Sequence, residues 1–215
     1  MIKNILFDLD GTVTDSKEGI VNCVSYALKA MGIYEPDRKK LEGFIGPPLK
    51  EEFKIRYNLT DEQGEFALSK YRERYRDKGI FENRVYDGIE DILNVLFEKG
   101  IKICLATSKP QIYAERILKH FNLDKYFSIV CGSELSGERI EKTDVIKYVL
   151  AKIENPENSI MVGDRKFDVI SAHECGLKCI GVKFGFPEEN ELEEANADYI
   201  VSTTAELKEL LLKIT

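Results

Sequence analysis

The sequence predicts an α/β protein in which a parallel sheet is covered by helices on both faces and a helical insert follows the first strand. Short apolar runs of the kind that form buried strands recur along the chain. In the second half these runs alternate with amphipathic segments of helical period, which is typical of βαβ units. Between the first run and the next, residues 16–82 show helical patterns only.

Six apolar runs are the predicted strands. Strands that are buried on both faces of a parallel sheet appear in a sequence as continuous apolar runs rather than as alternating patterns. The runs cover residues 4–9, 101–107, 127–132, 159–163, 178–182 and 198–202.

Helices are predicted between the later strands. The segment 87–100 carries apolar residues at helical spacing and ends at Gly100, a common helix stop signal. The segment that begins at Pro110 has a residue favoured in the first helical turn. The remaining helical patterns of this half of the chain cover residues 142–153 and 165–176.

The segment 16–82 is predicted to be a separate helical domain, so that residues 1–15 and 83–215 together form the sheet domain. Its helical patterns cover residues 19–32, 48–58 and 60–79. The chain crosses between the two predicted domains at two short connections. Connections of this kind are candidate hinges.

Composition and charge limit the classes of function. Hydrophobic residues make up 43% and charged residues 32%, which is typical of a globular protein, and the net charge is −7. A nucleic-acid partner is not expected, because such binders need a basic face. No apolar stretch approaches the roughly 18 residues of a membrane span. None of the five cysteines forms a CxxC pair. We therefore expect a cytoplasmic protein with no membrane partner and with structural thiols.

Acidic residues follow two of the predicted strands at their carboxyl ends. Asp8 and Asp10 close the first apolar run, Asp164 follows the run at 159–163, and Asp168 comes four residues later. The carboxyl ends of parallel strands meet at one edge of the sheet, where ligands bind. Carboxylates gathered there repel each other and need a cation. Their hard oxygens suit Mg²⁺, so we expect a magnesium site.

Phosphate-binding groups accompany these acids. Thr107 and Ser108 end the second run, and Lys142 opens the helix after the third. Hydroxyl groups, a lysine and turn amides beside a cation describe a phosphate site. An aspartate in such a site can attack phosphorus and form an aspartyl-phosphate. A second carboxyl group can protonate the leaving oxygen and later activate water.

Four motifs, in order along the whole chain, resemble those of the haloacid dehalogenase (HAD) superfamily. They are "DLDGT" at 8–12, the threonine ending the second strand, the lysine at 142 and "GDRKFD" at 163–168. The resemblance implies a Rossmann-like core, and the helical insert is similar to the C1 cap of that superfamily. The segments "FIGPPL" at 44–49 and "YDGIEDILNVL" at 86–96 resemble the phosphoglycolate phosphatase-like branch.

This resemblance implies a role for each matched residue. Asp8 is the nucleophile, and Asp10 is the general acid and base. The implied ligands of Mg²⁺ are four aspartates: Asp8, Asp10 through its backbone carbonyl, Asp164, and Asp168 through water. The implied phosphate-binding residues are Thr107, Ser108, Lys142, Gly11 and Thr12. The residues of the insert expected to face the leaving group are Gly46, Pro47 and Lys50.

The expected activity is therefore a Mg²⁺-dependent phosphatase that acts on a small phosphorylated metabolite. The third motif reads "EKTDV" where the family often has Lys-Pro, which leaves Lys147 as an alternative to Lys142. Ser108 stands where phosphoglycolate phosphatases usually have asparagine. A phosphoglycolate-like phosphomonoester is the first candidate substrate and a 5′-nucleotide the second, with pyrophosphate and sugar phosphates also open. The alternatives to a phosphatase are a phosphosugar mutase and a non-catalytic phosphate-binding protein.

Overall fold

A computed structural model describes residues 1–134, 139 and 141–215 of the chain. Its main sheet has six strands, all parallel, in the order β5-β4-β1-β6-β7-β8, and β2 and β3 form a separate two-stranded sheet. The strands are β1 (Asn4–Phe7), β2 (Thr14–Asp15), β3 (Arg84–Val85), β4 (Lys102–Pro110), β5 (Ile129–Ser133), β6 (Ser159–Gly163), β7 (Lys178–Val182) and β8 (Tyr199–Val201). The predicted α/β class with a parallel sheet is confirmed.

Helices follow most of the strands along the chain. The α-helices are α1 (Lys17–Ala30), α2 (Arg38–Glu42), α3 (Leu49–Tyr57), α4 (Asp61–Asp77), α5 (Ile89–Glu98), α6 (Gln111–His120), α7 (Lys142–Leu150), α8 (Lys166–Glu174), α9 (Glu191–Glu194) and α10 (Thr204–Ile214). Short 3₁₀ turns cover Gly79–Phe81, Asp124–Tyr126 and Pro156–Asn158. Within the described residues, no helix has the length and the apolar character that a bilayer crossing requires.

The core lies on the two faces of the sheet. On one face, Leu6 of β1 and Met161 of β6 belong to a buried cluster with residues of α7 and α8, among them Val145 and Val169. Successive side chains of a strand point to opposite faces, so Phe7 faces the other side, where it is also fully buried. The continuous apolar runs of the sequence follow from burial on both faces.

Strand β4 is longer than predicted. The apolar run suggests an end at residue 107, but the strand continues to Pro110, which pairs with Ser133 of β5 after a register shift beyond Ala106. Gly132 of β5 allows this close approach, since a Cβ atom there would lie 2.4 Å from the carbonyl oxygen of Lys109. The extension therefore depends on a contact between strands rather than on the local hydrophobic pattern.

The chain divides into two compact units. One contains Met1–Thr14 and Val85–Thr215, and the other, called the insert below, contains Asp15–Arg84. In the insert, α1 packs against α4 and the turn at Gly79–Phe81. A Cβ atom at Gly19 of α1 would lie 2.1 Å from the carbonyl oxygen of Gly79, so only glycine permits this packing distance.

Candidate active site

The end of β1 fixes the position of Asp8. Phe7 pairs with Leu105 of β4 and with Val162 of β6, and the N–H of Asp8 donates to the carbonyl oxygen of Val162 at 2.9 Å. Thr107 lies two residues beyond Leu105, and Asp164 two residues beyond Val162. The three strands therefore deliver Asp8, Thr107 and Asp164 to the same edge of the sheet.

Three buried carboxyl groups and one buried ammonium group form the centre of the site. Asp8, Asp164 and Asp168 each offer a carboxylate oxygen, and these oxygens all lie within 4.8 Å of one another. The Nζ atom of Lys142 lies 2.7 Å from Oδ1 of Asp8 and 2.6 Å from Oδ1 of Asp168. When all four groups are ionised, two negative charges remain uncompensated, which is the charge that one divalent cation balances.

The pKa values of these groups show the electrostatic cost of the cluster. Burial, and then the charges of Asp168 and Asp8, raise the pKa of Asp164 well above its usual range. Burial raises the pKa of Asp168 to about 6, although Lys142 opposes the shift. Burial alone would lower the pKa of Lys142, but Asp168 and Asp8 outweigh it and raise that pKa, so the lysine is charged. A bound cation would relieve the cost of ionising the carboxyl groups.

Asp164 is held from several sides. The N–H of Phe186 donates to its Oδ2 atom at 2.8 Å, and the hydroxyl of Thr12 donates to its Oδ1 atom at 3.4 Å. Gly11 has a positive φ of 85°, and a Cβ atom at this position would lie 2.1 Å from Oδ2 of Asp164. The glycine of "DLDGT" therefore provides both the turn conformation and the space for the acid.

The amides of Gly11 and Thr12 are engaged within their own turn. The Gly11 N–H donates to the carbonyl oxygen of Thr14 at 2.8 Å, and the Thr12 N–H donates to that of Leu9 at 3.3 Å. In this structure the two residues shape the turn around Asp164. Their contact with phosphate stays a prediction.

One side-chain oxygen of Asp10 contacts a lysine, and the other has no hydrogen-bond partner among the described residues. The Nζ atom of Lys109, a buried side chain, lies 2.7 Å from Oδ2 of Asp10. The other oxygen, Oδ1, is buried and has no hydrogen-bond partner among the described residues. Lys109 was not among the predicted site residues. The signal that points to it is its position directly after the hydroxyl residues that end the apolar run of β4.

Lys142, rather than Lys147, is the lysine beside Asp8. Lys142 is the first residue of α7 and is buried, whereas Lys147 is exposed one turn later on the same helix. Thr107 is also buried, and its Oγ1 atom accepts a hydrogen bond from the Lys109 N–H at 3.2 Å. Ser108 is half-buried, and its carbonyl oxygen accepts a hydrogen bond from the hydroxyl of Ser133 at 2.8 Å.

The segment after β7, residues 183–191, is a second part of the site that the motifs do not indicate. It carries Phe186, and a Cβ atom at Gly185 would lie 2.2 Å from the carbonyl oxygen of Gly11. The buried carboxylate of Glu191 anchors the segment, because it accepts a hydrogen bond from Nε of Arg165 at 3.0 Å. The contacts to Asp164 and Gly11 are made by backbone, so residue type alone does not reveal them.

The candidate residues of the insert lie around the start of α3. Gly46 is exposed and Pro47 is half-buried. The Nζ atom of Lys50 lies 3.0 Å from Oδ2 of Asp61 and 2.7 Å from Oε1 of Glu65 in α4. The charge of Lys50 thus has two partners inside the insert. The contact of these residues with a leaving group stays a prediction.

Three buried aspartates, a buried lysine and the Thr107 hydroxyl, gathered at one edge of the sheet, are the groups that phosphoryl transfer through an aspartate requires. Residues 5–182 match the family model described as haloacid dehalogenase-like hydrolase, and the chain belongs to this family. The resemblance seen in the four sequence motifs is thereby confirmed.

Known proteins similar to this chain include a nucleotidase, a protein kinase and phosphatases. A 5′-nucleotidase of Pseudomonas aeruginosa is 43% identical over 97% of this chain and 95% of its own. The tyrosine-protein kinase PtkA of Mycobacterium tuberculosis is 34% identical over 96% and 72%. A phosphoglycolate phosphatase of Vibrio vulnificus is 24% identical over 98% and 96%. The crystal structure of a predicted phosphatase from Clostridium acetobutylicum superposes with a TM-score of 0.94, at 43% identity and 99% coverage of both chains.

Proposed function

We propose that the protein is a Mg²⁺-dependent phosphatase that hydrolyses a small phosphomonoester through an aspartyl-phosphate on Asp8. The observation that carries this proposal is the buried cluster around Asp8. One carboxylate oxygen each of Asp8, Asp164 and Asp168 lies within 4.8 Å of the others, and the Nζ atom of Lys142 lies 2.7 Å from Oδ1 of Asp8. This arrangement combines a nucleophile, a cation site and a phosphate-binding cation in one buried place.

The donor set fits Mg²⁺. Asp8, Asp164 and Asp168 supply hard carboxylate oxygens, and the cluster keeps two negative charges beyond those that Lys142 neutralises. These three residues would hold the ion, and the backbone carbonyl of Asp10 is the further ligand expected from the family resemblance. When bound, Mg²⁺ neutralises charge on the phosphoryl oxygens and orients the phosphate for in-line attack.

Each side chain has a defined role in the two half-reactions. A carboxylate oxygen of Asp8 attacks phosphorus while the bond from phosphorus to the leaving oxygen breaks. Lys142 and Thr107 bind the phosphoryl oxygens, and Asp10 gives a proton to the leaving oxygen. In the second half-reaction Asp10 takes a proton from water, the water oxygen attacks phosphorus, and the bond to Asp8 breaks.

Two leaving groups are candidates. The proposal of a phosphoglycolate-like substrate is based on the loop "FIGPPL" and on Lys50, which could bind a second anionic group. Lys50 is held by Asp61 and Glu65 in the structure, so this substrate has to compete with them. A 5′-nucleotide is the second candidate, and the 43% identity over nearly the whole chain to a 5′-nucleotidase favours it.

Phosphate release from a panel of phosphorylated metabolites tests the proposal. The panel includes 5′-nucleotides, phosphoglycolate, sugar phosphates, pyrophosphate and p-nitrophenyl phosphate. We expect EDTA to abolish turnover, Mg²⁺ to restore it, and Ca²⁺ to inhibit because its larger, irregular shell does not hold the octahedral geometry. Full activity in EDTA, or no phosphate release from any substrate with Mg²⁺, would contradict the proposal.

A further inference from the structure

We propose that Lys109 is a positioning residue for Asp10. It holds one carboxylate oxygen of Asp10, so that the other is kept available for proton transfer with the leaving oxygen and with water. This inference rests on the proposed phosphatase function. It assigns a role to a lysine outside the four motifs that led to the site.

The contact is largely shielded from water. The Nζ atom of Lys109 lies 2.7 Å from Oδ2 of Asp10, with side chains that are only 6% and 12% exposed. A buried ion pair gives little net stability, because desolvation offsets the attraction between the charges. Oδ1 of Asp10 is buried in the same place without a hydrogen-bond partner among the described residues. A buried polar atom without a partner is costly, and a catalytic role is one of the explanations for such an atom.

The backbone around Lys109 is fixed by its neighbours. Its N–H donates to Oγ1 of Thr107 at 3.2 Å, and its carbonyl oxygen packs against Gly132, where any Cβ atom would lie 2.4 Å away. The carbonyl oxygen of Ser108 accepts a hydrogen bond from Ser133 at 2.8 Å. Lys109 therefore projects from a part of β4 that is tied to β5, and this rigidity fixes the start of its side chain.

Proton transfer explains why such control is useful. A general acid must place its proton within hydrogen-bond distance of the leaving oxygen, and a carboxyl group has two oxygens that exchange places by rotation. The ammonium of Lys109 donates to Oδ2 and so selects Oδ1 as the atom that carries the proton. In the first half-reaction the proton on Oδ1 moves to the leaving oxygen as its bond to phosphorus breaks. In the second, Oδ1 takes a proton from the attacking water.

The rival interpretation is that Lys109 binds the transferred phosphoryl group directly, as Lys142 is proposed to do. The two roles differ in their dependence on the leaving group. A phosphate contact acts on every substrate alike, whereas a residue that acts through Asp10 matters most when the leaving oxygen needs a proton. p-Nitrophenolate needs almost no protonation, and an alkoxide does.

The test replaces Lys109 by methionine, which keeps the length and removes the charge. With an alkyl phosphate from the panel we expect kcat to fall about 10- to 100-fold. This is a part of the rate enhancement that general acid catalysis usually gives. Aspartyl-phosphate formation from p-nitrophenyl phosphate, measured as the p-nitrophenol burst, is expected to change less than about 3-fold, with KM and the Mg²⁺ dependence unchanged. Lys109→Arg restores a donor and is expected to recover part of the loss.

Lys125→Met is the matched control. Lys125 also faces a carboxylate, Oε1 of Glu90 at 3.8 Å, but both side chains are more than half exposed. We expect this variant to behave as the wild type on every substrate. Far-UV circular dichroism and thermal unfolding of each variant show whether it is folded, and if the methionine variant does not fold, the same comparison is made with Lys109→Gln and Lys109→Arg.

A double-mutant cycle with Asp10→Asn decides between the two roles. If Lys109 acts through Asp10, Lys109→Met adds less than about 2-fold to the loss already caused by Asp10→Asn. Multiplied losses, or equal losses on alkyl and p-nitrophenyl substrates, would overturn the inference. So would wild-type activity of Lys109→Met in an enzyme that Asp8→Asn inactivates, and this result leaves the proposed function intact. A wild-type protein without phosphatase activity would defeat the proposed function itself.

Discussion

Two sets of charged residues, one in each unit of the molecule, use the same residue types in opposite environments. In the unit that contains the sheet, Lys142, Asp164 and Asp168 are buried and lie in contact or close to one another. In the insert, charged pairs such as Lys70–Glu73 lie at 2.7 Å with side chains that are 31% and 50% exposed. The spacing of the partners is similar, but their access to water is not.

Under the proposed function, this difference separates charges that take part in chemistry from charges that are exposed to water. Exposed ion pairs contribute little to stability, because water and salt screen them. Buried charges are costly even when paired, and the raised pKa values of Asp164 and Asp168 are a measure of that cost. A chain that retains the buried set gives up stability for a reactive site. The exposed pair Lys70–Glu73 carries almost no such cost.

Among substitutions in the buried cluster and in the insert, the largest loss of activity is expected at Asp8, the proposed nucleophile. Asp8→Asn keeps the shape of the side chain but removes the attacking charge and one metal ligand, so we expect phosphate release to fall to background. The matched control is Glu73→Gln in α4, an exposed acid paired with Lys70. It is expected to stay within about 2-fold of the wild type. One tenth of the wild-type kcat in Asp8→Asn would rule out the aspartyl-phosphate.

The next largest effect is expected for Asp10. Asp10→Asn removes the proton donor and is expected to lower kcat about 10²- to 10⁴-fold on alkyl phosphates. With p-nitrophenyl phosphate, formation of the intermediate is expected to suffer less than its hydrolysis, because only the second step then needs a base. Burst and steady-state kinetics separate the two steps. Equal losses in both steps for every substrate would argue against the acid–base role.

A third prediction concerns the stability of the metal-free protein. Asp164→Asn removes a buried charge, and the Phe186 N–H can still donate to the amide oxygen of the asparagine. We expect the variant to be more stable than the wild type in EDTA at pH 7.5 by about 1–3 kcal/mol. It is also expected to lose the stabilisation that Mg²⁺ gives the wild type, which thermal unfolding with and without Mg²⁺ measures.

The pH dependence of this gain has a defined sign. In the metal-free wild type the folded-state pKa values of Asp164 and Asp168 are raised, the latter to about 6, so the folded state binds protons more tightly than the unfolded state. The stability that comes from these protons is complete below the unfolded pKa near 4 and is lost as the pH rises through the folded pKa. The advantage of Asp164→Asn should therefore shrink as the pH is lowered to about 4. A pH-independent advantage would contradict the electrostatic explanation.

The smallest effect is expected in the insert. Lys50→Ala is expected to raise KM about 2- to 5-fold for a substrate with a second anionic group and to leave p-nitrophenyl phosphate hydrolysis unchanged. Asp61→Asn, which removes one of the partners of Lys50, is expected to lower that KM. Equal effects of Lys50→Ala on both substrates, or none on either, would remove Lys50 from the substrate site.

The sequence by itself determined the features that depend on local pattern and residue type. The strand cores at 159–163 and 178–182 coincide with their apolar runs, because burial on both faces requires continuous hydrophobic residues. The motifs around Asp8 and Asp164 predicted a cation and phosphate site, because carboxylates gathered at strand ends repel each other and need a cation. The family match over residues 5–182 agrees with that interpretation.

Only the tertiary structure decided the features that depend on contacts between distant parts of the chain. It placed Lys142 rather than Lys147 beside Asp8, 134 positions away in the sequence. It also brought Lys109 to Asp10 and the backbone N–H of Phe186 to Asp164. Periodicity and composition describe which residues are buried, but not which partners meet across a sheet. Strand order and register set those distances, and only the folded backbone specifies them.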